Sequence, residues 1–209
     1  MSDLIPIFAT PLMIEDVNHL ITPEIKNHIK KLNYERVHIG TGDWSSDEDR
    51  NILQTEMFSD IKEYVLKSVQ KLSKDVYLID DDIEFVIISS WVLRHGYGHE
   101  CVMHNHTGSL YSGVLYLDAP ERCGDIRFHE PHALGSSHAY HQVSIPFKQS
   151  RYNAFNAPHY NVPAKTGTLL TFSSGLLHSV PPNMSHEHRY SLSFNVLPKQ
   201  MVNIKEITV

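Results

Sequence analysis

The chain has 209 residues, 41% of them hydrophobic, which suits one globular domain with a substantial core and excludes a disordered chain. Its formal charge of -6 argues against wholesale binding to a phosphate backbone, so nucleic acid is not an expected partner. Two cysteines, Cys101 and Cys123, are too few for a disulfide scaffold or a Cys-rich zinc site and read as reduced, small buried residues.

The opening Met1-Ser2-Asp3-Leu4 has neither the basic nor the apolar region of a leader. No stretch approaches the roughly 18 apolar residues of a membrane span, so a cytoplasmic protein without membrane partners is expected. Residues 3–16 read as extended, with Pro6 and Pro11 restricting the backbone. Thr22 as N-cap and Pro23 at the first helical position start a helix, with Ile25, Ile29 and Leu32 at helical spacing. A turn at residues 40–43 is followed by a polar surface loop over 44–51. The second helix, from about Thr55 to Lys74, carries Phe58, Ile61, Val65 and Leu72 as its stripe. Met57, Tyr64 and Val69 join that stripe, which should pack on the back of a sheet. Asp80-Asp81-Asp82 reads as a solvated turn.

From residue 83 the chain is β in character, with strands expected over 83–94, 101–106, 110–118, 125–129, 142–145, 151–155, 167–173 and 189–197. Short strands at this spacing give a mostly β sandwich or barrel. The division is therefore a single domain over 1–209, with 1–82 as helical and extended support and 83–197 as the β core. The His-, Ser-, Asn- and Pro-rich stretch 129–166 reads as a rim loop over the site. Within it, His129, His132, His138 and His141 match no standard metal spacing. They read as polar loop residues, alongside Tyr140, Tyr152, Phe155 and Tyr160 as substrate clamps or packing residues.

The chemistry centres on His104-Asn105-His106. In an extended chain residues i and i+2 face one way, roughly 7 Å apart, so His104 and His106 aim two imidazoles at one point. Imidazole suits zinc, copper, iron and nickel. Two rings do not complete a coordination sphere, and His178 is the best third donor. Eleven residues later, alternation through 189–195 sends Arg189, Ser191 and Ser193 to one face and Tyr190, Leu192 and Phe194 to the other. A cation with two hydroxyls beside a metal is a carboxylate receptor.

In order, Trp91-Val92, His104 and His106, Ser112-Gly113-Val114-Leu115-Tyr116-Leu117, Gly124 to Phe128, His178 to Asn183 and Arg189 to Asn195 form a set. It resembles the small 2OG-Fe(II) oxygenases of bacteria and tailed phages, within the 2-oxoglutarate/Fe(II)-dependent dioxygenase superfamily. Ile7-Phe8-Ala9-Thr10-Pro11 matches that family's Phe-x-Thr-Pro opening. Each fragment alone is weak; their order is specific, strongly over 89–197 and loosely before. The resemblance implies a double-stranded β-helix (jelly roll) braced by N-terminal helices, with Fe(II) and 2-oxoglutarate as cofactors. His104 and His178 are the implied histidine pair. Arg189, helped by Ser191, is implied on the distal carboxylate, with the Tyr116 hydroxyl on the same group and Ser112 lining the pocket.

His106 departs from the pattern, because most of the superfamily has Asp or Glu there. Three outcomes are open: His106 ligates, Asp125 or Glu100 substitutes, or the position goes to water or halide. His106 is favoured, and a neutral ligand leaves the site one positive charge higher. The expected activity is a dioxygenase that hydroxylates a substrate C–H bond with release of succinate and CO2. Two other readings stand beside it: a cupin-like three-His dioxygenase needing no keto acid, and a non-catalytic jelly-roll module stabilised by metal. Small-molecule and peptidyl substrates are both compatible with the sequence, as is any oligomeric state.

Overall fold

The computed structural model describes residues 9–37, 40–46, 49–130 and 157–202. Thr22 caps the first helix, α1 (Pro23–Ile29), through its Oγ1, which accepts from the Ile25 amide at 3.3 Å. Pro23 then costs nothing, since its missing N–H had no helical partner to lose. The second helix, α2 (Ser59–Lys71), is shorter than its stripe implies. One-turn 3-10 segments at Ile52–Gln54 and Glu56–Phe58 precede it, and a π turn at Leu72–Val76 ends it. There the Ser73 hydroxyl donates to the Val69 carbonyl at 2.8 Å, a side-chain bond that competes with the regular ladder. Phe58, Ile61, Val65, Val69 and Leu72 are buried as the stripe requires, while Met57 is exposed.

Among the described residues, eleven strands form two antiparallel sheets. They are β1 (Leu12–Asp16), β2 (Tyr34–Arg36), β3 (Asp43–Ser45), β4 (Phe85–His95), β5 (Cys101–His104) and β6 (Tyr111–Asp118). The rest are β7 (Ile126–His129), β8 (His159–Val162), β9 (Thr168–Ser173), β10 (His178–Val180) and β11 (Arg189–Pro198). The large sheet runs β1-β9-β6-β11-β4-β3-β2, and the small one β5-β10-β7-β8. The fold is mostly β, and residues before 83 give the large sheet three of its strands. Its outer face packs on the helices through Leu115, Leu117, Leu192 and Phe194 with Val65 and Val69. Its inner face meets the small sheet through Val114, Tyr116, Phe128 and Phe172. Strand alternation therefore divides the chain cleanly: one side of β6 and β11 feeds the helical core, the other faces the gap between sheets.

Two expectations need correction. Residues 43–45 are a strand rather than the start of a surface loop, because Asp43 and Trp44 pair with Arg94 and Leu93 of β4. The Arg94–Asp43 ion pair, 2.9 Å, holds that edge, and the Ser45 hydroxyl accepts from the Val92 amide. β8 lies inside the stretch read as irregular; it pairs with β7 from Ile126 opposite Val162 to His129 opposite His159. The expected strands at 142–145 and 151–155, with His132, His138, His141, Tyr140, Tyr152 and Phe155, lie outside the described residues.

Candidate metal centre

β5, the turn after it and β10 bring three imidazoles together. His178 pairs opposite His104 across β10 and β5, and His106 follows β5 by two residues. One ring nitrogen from each of His104, His106 and His178 lies within 4.8 Å of the other two. His178 is buried and the other two half-buried.

Each ring is locked from behind. His104 Nδ1 lies 2.9 Å from the Val102 carbonyl, and His178 Nδ1 lies 2.9 Å from the Leu176 carbonyl. A carbonyl only accepts, so both Nδ1 atoms carry the proton. His106 Nδ1 lies 2.6 Å from Asn195 Oδ1, whose amide nitrogen in turn donates to Ser89 Oγ at 3.1 Å. All three lone pairs are thus left on Nε2. His104 Nε2 and His106 Nε2 stand 3.2 Å apart, and with both protons on the far nitrogens two lone pairs face each other. A cation between them removes that conflict. Two cis ligands at about 2.1 Å from a first-row metal are roughly 3.0 Å apart, so the spacing fits an octahedral edge.

Protonation is disfavoured at the same place. Burial, with help from the neighbouring His104, presses His178 down to about 3 and also lowers His106. Rings kept neutral near pH 7 are ready to donate to a metal. Neither Asp125 nor Glu100 joins the cluster. Asp125 is exposed and accepts from the Ala164 amide.

The imidazoles open into a cavity of about 330 Å³ between the sheets. Arg189, Ser191, Ser193 and Asn195 of β11 line it in alternation, with Tyr116 of β6. Ser191 sits opposite Tyr116 in register, both 2% exposed. Tyr116 is held neutral by burial, which raises its pKa. Ser112 differs from expectation. Its hydroxyl lies behind His106, 3.0 Å from Nδ1, 2.7 Å from Asn195 Oδ1 and 2.7 Å from Ser174 Oγ, and it does not line the cavity.

Arg189 is 2% exposed, and no carboxylate pairs with it among the described residues. Its Nη1 donates to the Cys123 and Gly124 carbonyls at 3.1 and 2.8 Å, and its Nη2 to His95 Nδ1 at 2.6 Å. Nε is buried without any partner. Burying a guanidinium this way costs several kcal/mol unless an anion joins it. Arg189 is also the one charged side chain among the described residues lining the cavity. The site therefore pairs an imidazole cluster suited to a cation with a guanidinium suited to an anion.

Sequence reading missed three contributors. Trp91 lines the cavity with its ring 6.0 Å from His106. Asn195 and His95 hydrogen-bond to His106 and Arg189. The signal was strand alternation, which puts Trp91 and His95 of β4 on one face, as it does Arg189 and Asn195 of β11.

A family model described as "Putative 2OG-Fe(II) oxygenase" matches residues 89–195. The curated proteins contain no match. Among solved structures, the fold is similar to a Pseudomonas putida prolyl-4-hydroxylase at 16% identity and TM-score 0.56, covering 91% of this chain and 94% of that one. It is similar to HygX from Streptomyces hygroscopicus, solved with nickel and 2-oxoglutarate bound, at 10% identity and TM-score 0.60, covering 91% and 84%. A Trichoplax adhaerens prolyl hydroxylase, in complex with a hypoxia inducible factor oxygen degradation domain peptide fragment, aligns at 11% identity and TM-score 0.60, covering 92% and 86%. At these identities the likeness is one of fold, the jelly roll. The family model spans more than half of the chain, over the strands that carry the three imidazoles and the buried guanidinium, and the chain belongs to the 2OG-Fe(II) oxygenase family.

Proposed function

We propose that this protein is an Fe(II)- and 2-oxoglutarate-dependent dioxygenase that hydroxylates a C–H bond of a small-molecule or peptidyl substrate. In this reading His104, His106 and His178 hold the iron as a three-histidine face. Arg189, with Ser191 and Tyr116 beside it, binds the distal carboxylate of the keto acid. The bound iron and keto acid supply the oxidising power, one oxygen atom going to succinate as CO2 leaves and the other to the substrate. The residues of the chain bind, orient and exclude water. The Nδ1 hydrogen bonds keep each Nε2 facing the metal, and Arg189 sets the far end of the keto acid.

The observation that carries the reading is the buried Arg189, paired with no carboxylate among the described residues, in the same cavity as the imidazole cluster. A cupin-like dioxygenase, which binds its substrate directly on the metal, does not require a keto-acid receptor. The Gly124 carbonyl that receives Arg189 comes just before β7, and Phe128 on β7 stands opposite His178, so one short stretch of chain touches both ends of the site. A neutral third ligand leaves the iron end more positive than a carboxylate would, which favours a dianionic co-substrate. The three N-terminal strands in the large sheet support a single domain. No helix among the described residues is long and apolar enough to cross a membrane.

The test is turnover. Iron-loaded protein should consume O2 and convert 2-oxoglutarate to succinate, and His104→Ala should abolish both. O2 uptake that ignores 2-oxoglutarate would favour the cupin-like reading, and a metal-dependent rise in melting temperature without any succinate would favour a structural metal.

A further inference from the structure

We propose that His95 is a positioning residue for keto-acid binding, serving as the neutral hydrogen-bond acceptor that aims the Arg189 guanidinium. The inference rests on the keto-acid site proposed above and adds to it a residue outside both the metal face and the carboxylate contacts.

His95 ends β4 and stands directly opposite Arg189, the first residue of β11. Both are almost fully enclosed, at 1% and 2% exposure. The contact is Arg189 Nη2 to His95 Nδ1 at 2.6 Å. Guanidinium nitrogens only donate, so Nδ1 must be the bare nitrogen and the ring neutral, with its proton on Nε2. Of the five N–H groups of Arg189, two go to the Cys123 and Gly124 carbonyls and one to His95. That leaves Nε–H and one Nη2–H, a pair suited to the two oxygens of a single carboxylate.

The acceptor's neutrality matters. A carboxylate in place of His95 would form a salt bridge with Arg189 and cancel the charge that the incoming anion needs. A neutral ring fixes the direction of the guanidinium and leaves its charge for the ligand. The surroundings keep this ring in one place. Gly42 lies against it so closely that a Cβ there would come 2.7 Å from His95 Cδ2 and 2.8 Å from Nε2. His99 meets it edge-on at 6.5 Å. The Asn183 side chain donates to the His95 carbonyl at 2.8 Å and pins the end of the strand.

The test is calorimetric titration of 2-oxoglutarate into protein loaded with Co(II), comparing wild type with H95N, H95Q and H95L. In H95N the amide oxygen falls where Nδ1 was, whereas in H95Q it falls nearer the position of Nε2. Affinity for 2-oxoglutarate should stay within about threefold in H95N and fall about tenfold or more in H95Q and H95L, the loss of one charge-assisted bond. Co(II) affinity, measured without keto acid, should be unchanged in all of them. Equal affinities in all four proteins would overturn the proposal, as would equal losses in H95N and H95Q. If H95L does not fold, the H95N and H95Q pair decides alone. Wild-type protein that binds Co(II) but no keto acid would sink the carboxylate site itself, a result distinct from any pattern among the variants.

Discussion

Asn195 Oδ1 lies 2.6 Å from His106 Nδ1, a bond that would suit a histidine to serve where the superfamily resemblance expects an acid. Ser112 Oγ, 3.0 Å from the same nitrogen, closes the other side. The pair fixes the tautomer and the ring plane, so His106 presents Nε2 to the cluster. Asn195→Ala should weaken metal binding about 10- to 100-fold, the usual cost of losing such a partner, with Asn195→Asp retaining most of it. Co(II) titration followed by visible absorbance measures this. Unchanged affinity in the alanine variant would show that the bond is incidental.

Replacing His106 by Asp tests the charge argument. The variant keeps three protein ligands but lowers the charge of the site by one. Metal should still bind, while 2-oxoglutarate affinity should drop by about tenfold, or about 1.4 kcal/mol. Titration calorimetry on the metal-loaded variant reads it, and a tighter keto-acid complex would contradict the account.

Acid should destabilise the protein partly through His95. Burial, then the Arg189 guanidinium and His99, press this ring from the ordinary 6.5 down to about 2. The unfolded chain takes up a proton as pH falls below about 6.5, and the native state does not. The His95 contribution is therefore whole above that pH and is lost as pH falls towards the native value, by up to about 1.4 kcal/mol per unit. Urea melts between pH 7 and 4 should be less steep in their pH dependence for H95N than for wild type. Parallel curves would show that His95 is not the group involved.

Gly113 should tolerate no side chain. It sits on β6 opposite Phe194 on β11, and an added Cβ would overlap both the Phe194 ring and the Leu170 carbonyl. Gly113→Ala should cost about 1–3 kcal/mol through overpacking, seen as a lower denaturant midpoint at constant slope.

Much of this site was visible in the sequence because strand geometry has a period of two. The two-residue spacing of His104 and His106 pointed to the cluster even though β5 ends at His104 and His106 lies just past it, and the alternation from Arg189 to Asn195 assigns the inner face of β11 correctly. The cap at Thr22 and the stripe from Ile61 to Leu72 were equally local signals. What escaped were relationships across strands. His95 matters because register sets it opposite Arg189, and Ser112 holds His106 rather than lining the cavity because β6 and β11 put it opposite Asn195. The short strand at Asp43–Ser45 has only one apolar residue, Trp44, and is fixed by pairing with β4, which no local pattern encodes.

The most direct measurement is anaerobic titration of the Fe(II)-loaded protein with 2-oxoglutarate, watched for a visible metal-to-ligand charge-transfer band. Wild type should develop the band at saturation, and Arg189→Ala should need at least about tenfold more keto acid to reach it, having lost a buried charge-assisted fork. No band in wild type, or identical titrations for the two proteins, would contradict the claim that these three imidazoles and this guanidinium form one site.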